Sequence, residues 1–87
     1  MISIKVLGSG CANCERLELH ARKAAETLLE ETPGIEVAIE KVTDPERFLD
    51  YGLLATPGLV INEQLASSGR IPSPGQILEM IKLKLDD

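Results

Sequence analysis

The chain opens with apolar and polar residues in alternation. Ile2, Ile4 and Val6 interleave with Ser3, Lys5 and Leu7, the period-two pattern of a strand, here mostly buried. Gly8-Ser9-Gly10 reads as a turn. From about Ala12 to Glu31 the period becomes helical. Cys14, Leu17, Ala21, Ala24 and Leu28 recur at three- and four-residue spacing and predict an inner face. Glu15, Glu18, Arg22, Lys23, Glu26 and Glu30 fall on the outer face, with Glu18 and Arg22 one turn apart as an ion pair. Pro33-Gly34 ends the helix. Period two then returns, with Ile35, Val37 and Ile39 set against Glu36, Ala38 and Glu40, which predicts a strand with one solvated face.

The second half is punctuated by proline. Asp44-Pro45 predicts a helix start, with Asp as N-cap and Pro at the first helical position, and Gly52 suits the residue beyond a helix end at Tyr51. Leu59-Val60-Ile61 is a short, wholly apolar strand. Asn62-Glu63 is a two-residue turn into Gln64–Ser68, so these strands form a hairpin. Ser73-Pro74 repeats the cap-and-proline device ahead of a helix that carries Ile77, Leu78, Ile81 and Leu85 inward. The expected order is β-α-β-α-β-β-α. Its first half is a parallel crossover unit and its second a hairpin followed by a helix. A single α/β domain over residues 1–87, with one four-stranded mixed sheet flanked by helices, buries these stripes most economically.

Composition narrows the chemistry. With 44% hydrophobic and 26% charged residues the chain reads as globular, and with Phe48 and Tyr51 as its aromatics the core must be aliphatic. The net charge of −5, with no cluster of Lys or Arg, argues against nucleic acid and against an anionic membrane surface. Neither a secretory leader nor a membrane span is expected from the pattern. A cytoplasmic protein follows, and two cysteines spaced CxxC in that compartment point to redox chemistry or metal binding rather than to a static staple.

Cys11-Ala12-Asn13-Cys14 falls where the first strand passes into the first helix. Unsatisfied N–H groups and the positive end of the helix dipole converge there and favour a thiolate at Cys11. Cys14, one turn on, is within reach for a disulfide. Cys11 is expected as the exposed nucleophile and Cys14 as the more buried resolving thiol. Cys14 alone would pass for a core residue, since it continues the apolar stripe; Cys11, in a Gly/Ser turn, would not. A second feature, Ala55-Thr56-Pro57-Gly58, stands before the apolar strand, where proline is tolerated because it need not donate to the ladder. His20, six residues beyond Cys14, is expected as an exposed helix residue well round from the cysteines.

Together these features resemble the thioredoxin/glutaredoxin superfamily. More closely, Ser9-Gly10-Cys11-Ala12-Asn13-Cys14, Thr56-Pro57 and Ser67-Ser68-Gly69-Arg70-Ile71-Pro72-Ser73 look like the small redox-active disulfide protein 2 family. The resemblance implies a thioredoxin-like fold and a thiol–disulfide oxidoreductase. Cys11 would be its nucleophile, Cys14 its resolving thiol and Pro57 a cis-proline beside them, and the backbone of Thr56 would pair with substrate. It implies a protein or small-molecule disulfide as substrate, a recycling disulfide reductase as partner, and no bound cofactor or metal. Gly10 replaces the aromatic residue that most thioredoxins carry there, and Ala12-Asn13 replaces Gly-Pro. Two other readings use the same residues. One is a soft-metal carrier for Cu(I) held by the two thiolates, because Gly-Cys-Ala-Asn-Cys also resembles the ferredoxin-like heavy-metal-binding domain. The other is a non-catalytic interaction module on a thioredoxin-like scaffold.

Overall fold

The fold is described from a computed structural model over residues 2–8 and 12–85, the side chain of Leu85 excepted. Its elements are β1 (Ile2–Leu7), α1 (Ala12–Glu31), β2 (Val37–Val42), α2 (Pro45–Asp50), β3 (Gly58–Ile61), β4 (Gln64–Ser68) and α3 (Pro74–Leu85). The strands form one sheet in the order β2-β1-β3-β4. β1 runs parallel to β2 and antiparallel to β3, and β3 is antiparallel to β4, with a register shift opposite Leu59 and Val60. This is the mixed four-stranded α/β arrangement that the order of sequence patterns predicts.

β2 departs from the expected range. Ile35 belongs to the turn, its N–H bonded to the Thr32 carbonyl, and Gly34 takes a φ of 94°. At the other end the strand runs on to Val42, because Val6 and Leu7 of β1 offer Lys41 and Val42 a parallel partner. Val42 is buried there. The hairpin turn behaves as its two residues suggest: Asn62 and Glu63 both take positive φ, 51° and 67°, the conformation that a tight two-residue connection requires.

Strand alternation sorts the core onto two faces. Ile2, Ile4 and Val6 of β1, with Leu59 and Ile61 of β3, meet Leu17, Ala21, Ala24 and Leu28 of α1 and Ile77 and Ile81 of α3. On the opposite face Leu7, Val42 and Val60 pack with Leu53, supported by Phe48 and Tyr51 from the α2 region. α2 buries no residue fully. Polar contacts join the half-buried Phe48 in holding it to the sheet. Lys5 Nζ donates to the Tyr51 hydroxyl at 2.9 Å and to Glu63; the Tyr51 hydroxyl donates to Glu63 Oε2 at 2.8 Å; Arg47 reaches Glu40 at 3.5 Å. The chain leaving α2 is thereby fixed as it enters the Leu53–Pro57 segment.

Candidate functional site

Strand parity explains the first residue of the site. Gly8 extends β1, so it faces the same side as Ile4 and Val6, towards α1. Its N–H donates to the Val42 carbonyl at 3.0 Å, which fixes the backbone there. A Cβ built on Gly8 would stand 2.1 Å from Cys14 Sγ and 2.9 Å from Cys14 Cβ. Only hydrogen fits between the strand and the thiol. The same point lies 4.0 Å from Pro57 Cβ, so Gly8, Cys14 and Pro57 converge. Sequence reasoning took Gly8 for a turn residue. Its signal is the parity of β1, which aims position 8 at the helix that bears Cys14.

Cys14 is 1% exposed and stands in the first turn of α1, on the face carrying Leu17 and Ala21. Cys11 lies outside the described residues, directly before the first helical residue in sequence. The Thr56–Pro57 peptide bond is cis. Pro57 is buried while Thr56 is exposed, and no other described residue hydrogen-bonds Thr56. The Pro57 carbonyl accepts from the Gly69 N–H at 2.9 Å, and the Ser68 hydroxyl donates to the Ala55 carbonyl at 3.2 Å. The end of β4 therefore braces this loop. Leu54, next to it, is 96% exposed.

His20 is not the free surface residue that its position suggested. It is half-buried, and its Nδ1 lies 2.9 Å from the Pro72 carbonyl, a bond that requires the proton on Nδ1. It ties the segment after β4 to α1. Among the described residues no three His, Cys, Asp or Glu side chains gather as a metal site. None of the described helices is long and apolar enough to cross a membrane.

A family model described as the thioredoxin domain matches residues 2–82. Two curated relatives carry the name thioredoxin. One, from Methanothermobacter thermautotrophicus, is 37% identical over 81 residues, which are 93% of this chain and 99% of the relative. Another, from Methanocaldococcus jannaschii, is 33% identical over 86 residues, 99% of this chain and 93% of the relative. Among solved structures the chain is similar to the zinc-bound form of human ERp44, with a TM-score of 0.68 and 16% identity. That match covers 95% of this chain and 26% of the larger protein, and it is a likeness of fold.

Proposed function

Because the chain belongs to the thioredoxin family, we propose that it is a small thiol–disulfide oxidoreductase that exchanges two electrons through Cys11 and Cys14. The observation that carries this reading is the convergence of Gly8, the Cys14 thiol and the cis Thr56–Pro57 peptide on one point. An exposed Thr56, which no other described residue hydrogen-bonds, beside a thiol at a helix start suits a disulfide held by strand-like pairing.

The reaction follows from the chemistry of thiols. Cys11 is favoured as thiolate by the free N–H groups and dipole at the start of α1. It attacks one sulfur of the substrate disulfide, forming a mixed disulfide and releasing the other sulfur as a thiolate, which takes up a proton. Cys14 loses its proton and attacks the Cys11 sulfur. The second substrate sulfur leaves, and Cys11–Cys14 remains as a disulfide. The substrate gains two electrons and the protein loses two. A disulfide reductase or another dithiol must return them. The substrate is a protein or small-molecule disulfide, the domain acts over residues 1–87, and the cytoplasm, where dithiols are kept reduced, is its proposed compartment.

The test is equilibration with glutathione buffers of graded potential, with thiols quantified at both cysteines. A single two-electron transition is expected, lost in both Cys11→Ser and Cys14→Ser. Cys14→Ser should also accumulate a mixed disulfide at Cys11. Absence of a transition, with one Cu(I) taken up per two thiols, would overturn the reading in favour of a soft-metal carrier.

A further inference from the structure

A groove of about 600 Å³ lies between β4 and α3, and it begins where the proposed active-site loop is braced. Ser67 and Ser68 form one wall, Arg70 and Ile71 the near end, and Met80 and Leu83 the far side. Ser68 and Gly69 hold Ala55 and Pro57, so groove and loop form one continuous surface. Gln76 and Leu83 both line it. Seven residues of helix separate them, about 10 Å of length. An extended chain advances about 3.3 Å per residue, so roughly three residues fit.

Two further observations say what fits. β4 is an edge strand, and Gln64–Ser68 carries no charged residue, whereas the other edge, β2, carries Glu40 and Lys41. Charges on an edge deter strand addition, and their absence leaves β4 receptive. The lining of the groove carries two charges, Arg70 at the near end and Glu79 on α3. Lys5, Arg22, Lys41, Arg47 and Lys82 are in ion pairs; Arg16, Lys23, Arg70 and Lys84 pair with no described carboxylate, and of these four Arg70 is the one that lines the groove. Glu79 is the acidic residue of the lining and makes no ion pair with Arg70.

We propose that this groove seats about three residues of an extended client polypeptide flanking the reacting disulfide, an acidic side chain at Arg70 and apolar ones over Met80 and Leu83. The site thereby selects protein disulfides over small ones. The proposal rests on the oxidoreductase reading for its chemistry, but the groove can be read without it.

The experiment uses the whole protein in its reduced form. Peptides bearing one cysteine as a mixed disulfide with thionitrobenzoate are offered, with the flank Asp-Leu-Leu, Lys-Leu-Leu or Gly-Gly-Gly on either side. The cysteine derivative without a flank is the control, and release of thionitrobenzoate is the readout. The Asp-Leu-Leu flank is expected to react fastest. Arg70→Glu should lower its kcat/KM about fivefold, the scale of an exposed charge pair, and leave the bare cysteine unchanged. Leu83→Lys, at a position already 68% exposed, should slow both leucine-bearing peptides alike. Equal rates for every flank, or an Arg70→Glu defect that extends to the bare cysteine, would overturn the proposal. A peptide with serine in place of cysteine tests the groove apart from thiol chemistry. Shifts of the Ile71 and Met80 methyl resonances on its addition support the groove even if no peptide releases thionitrobenzoate, an outcome that would sink the oxidoreductase reading alone. Release from all peptides with unmoved methyls would sink the groove alone. Concentration-dependent shifts of the same methyls without peptide would assign the groove to a second copy of the chain and overturn the proposal.

Discussion

At the scale of single residues, Gly8 is the position where packing leaves least freedom. Its neighbour is a buried thiol rather than the mobile end of a long side chain, so a methyl there must push α1 or bend β1. Gly8→Ala is expected to cost about 1–3 kcal/mol, the range for overpacking a filled interior, and urea denaturation would read it as a lowered midpoint. Gly58 offers the contrast. A Cβ there meets the methyl ends of Leu53, which can turn aside, so Gly58→Ala should shift the same midpoint less. Local order made Cys14 legible as an inward residue from its helical spacing alone. Of its neighbours, Gly8 was not legible, and Pro57 was legible only through the family resemblance, since it stands 43 residues beyond Cys14 and no spacing rule brings the two together. The bond between His20 and the Pro72 carbonyl was hidden for the same reason: the polar partner is a backbone group 52 residues away, which leaves no mark in side-chain pattern.

Elements read well from sequence where the signal was chemical. α2 is six residues long, too short for a periodic stripe, yet Asp44-Pro45 and Gly52 marked both its ends. The cap is as the residue types predict: the Asp44 carboxylate accepts from the Glu46 N–H at 3.0 Å, and Gly52 takes a φ of 74°. β2 was harder, because Ile35 fits the alternation but is claimed by the turn, and Lys41-Val42 breaks it but is claimed by β1. Pairing overrode pattern there. Since α2 has no buried residue of its own, its cap carries an unusual share of its stability. Asp44→Ala should destabilise the protein by about 1 kcal/mol, measured by thermal or urea unfolding. Hydrogen exchange should show the loss concentrated in the amides of α2 and the loop after it, with α1 little changed.

Across the whole molecule the sheet separates an aliphatic core under α1 and α3 from a smaller one finished by ionic contacts. Those contacts were not legible from sequence, because they join β1, the hairpin turn and the end of α2. The Glu63 carboxyl is held below its ordinary value of 4.5 by hydrogen bonds from Lys5 and then Tyr51. Lys5 is held above its ordinary 10.5 chiefly by Glu63 and then Tyr51. Glu18 is likewise lowered, first by Arg22, with Lys41 contributing. A depressed carboxylate contributes stability that is complete above the unfolded value and disappears as pH falls through the folded one. A raised lysine contributes fully below its unfolded value and loses that contribution as pH rises through the folded one. Stability should therefore decline in acid below about pH 4.5 and in alkali above about pH 10.5. In Glu63→Gln the acid decline should be shallower, as read from urea midpoints across a pH series. An unchanged slope would mean that the cluster is too well solvated to matter.

The place of β1 has a consequence in time as well as in space. It is interior to the sheet, flanked by β2 and β3, yet it is made before either. During synthesis its first neighbour arrives with Val37 and its second with Gly58, so the sheet is laid from the inside outwards and β4 is added last. α3 follows only after that. A surface shared by β4 and α3 is thus the last part of this domain to form on the nascent chain. Anything that docks there engages a completed fold and passes over one whose sheet is still being laid.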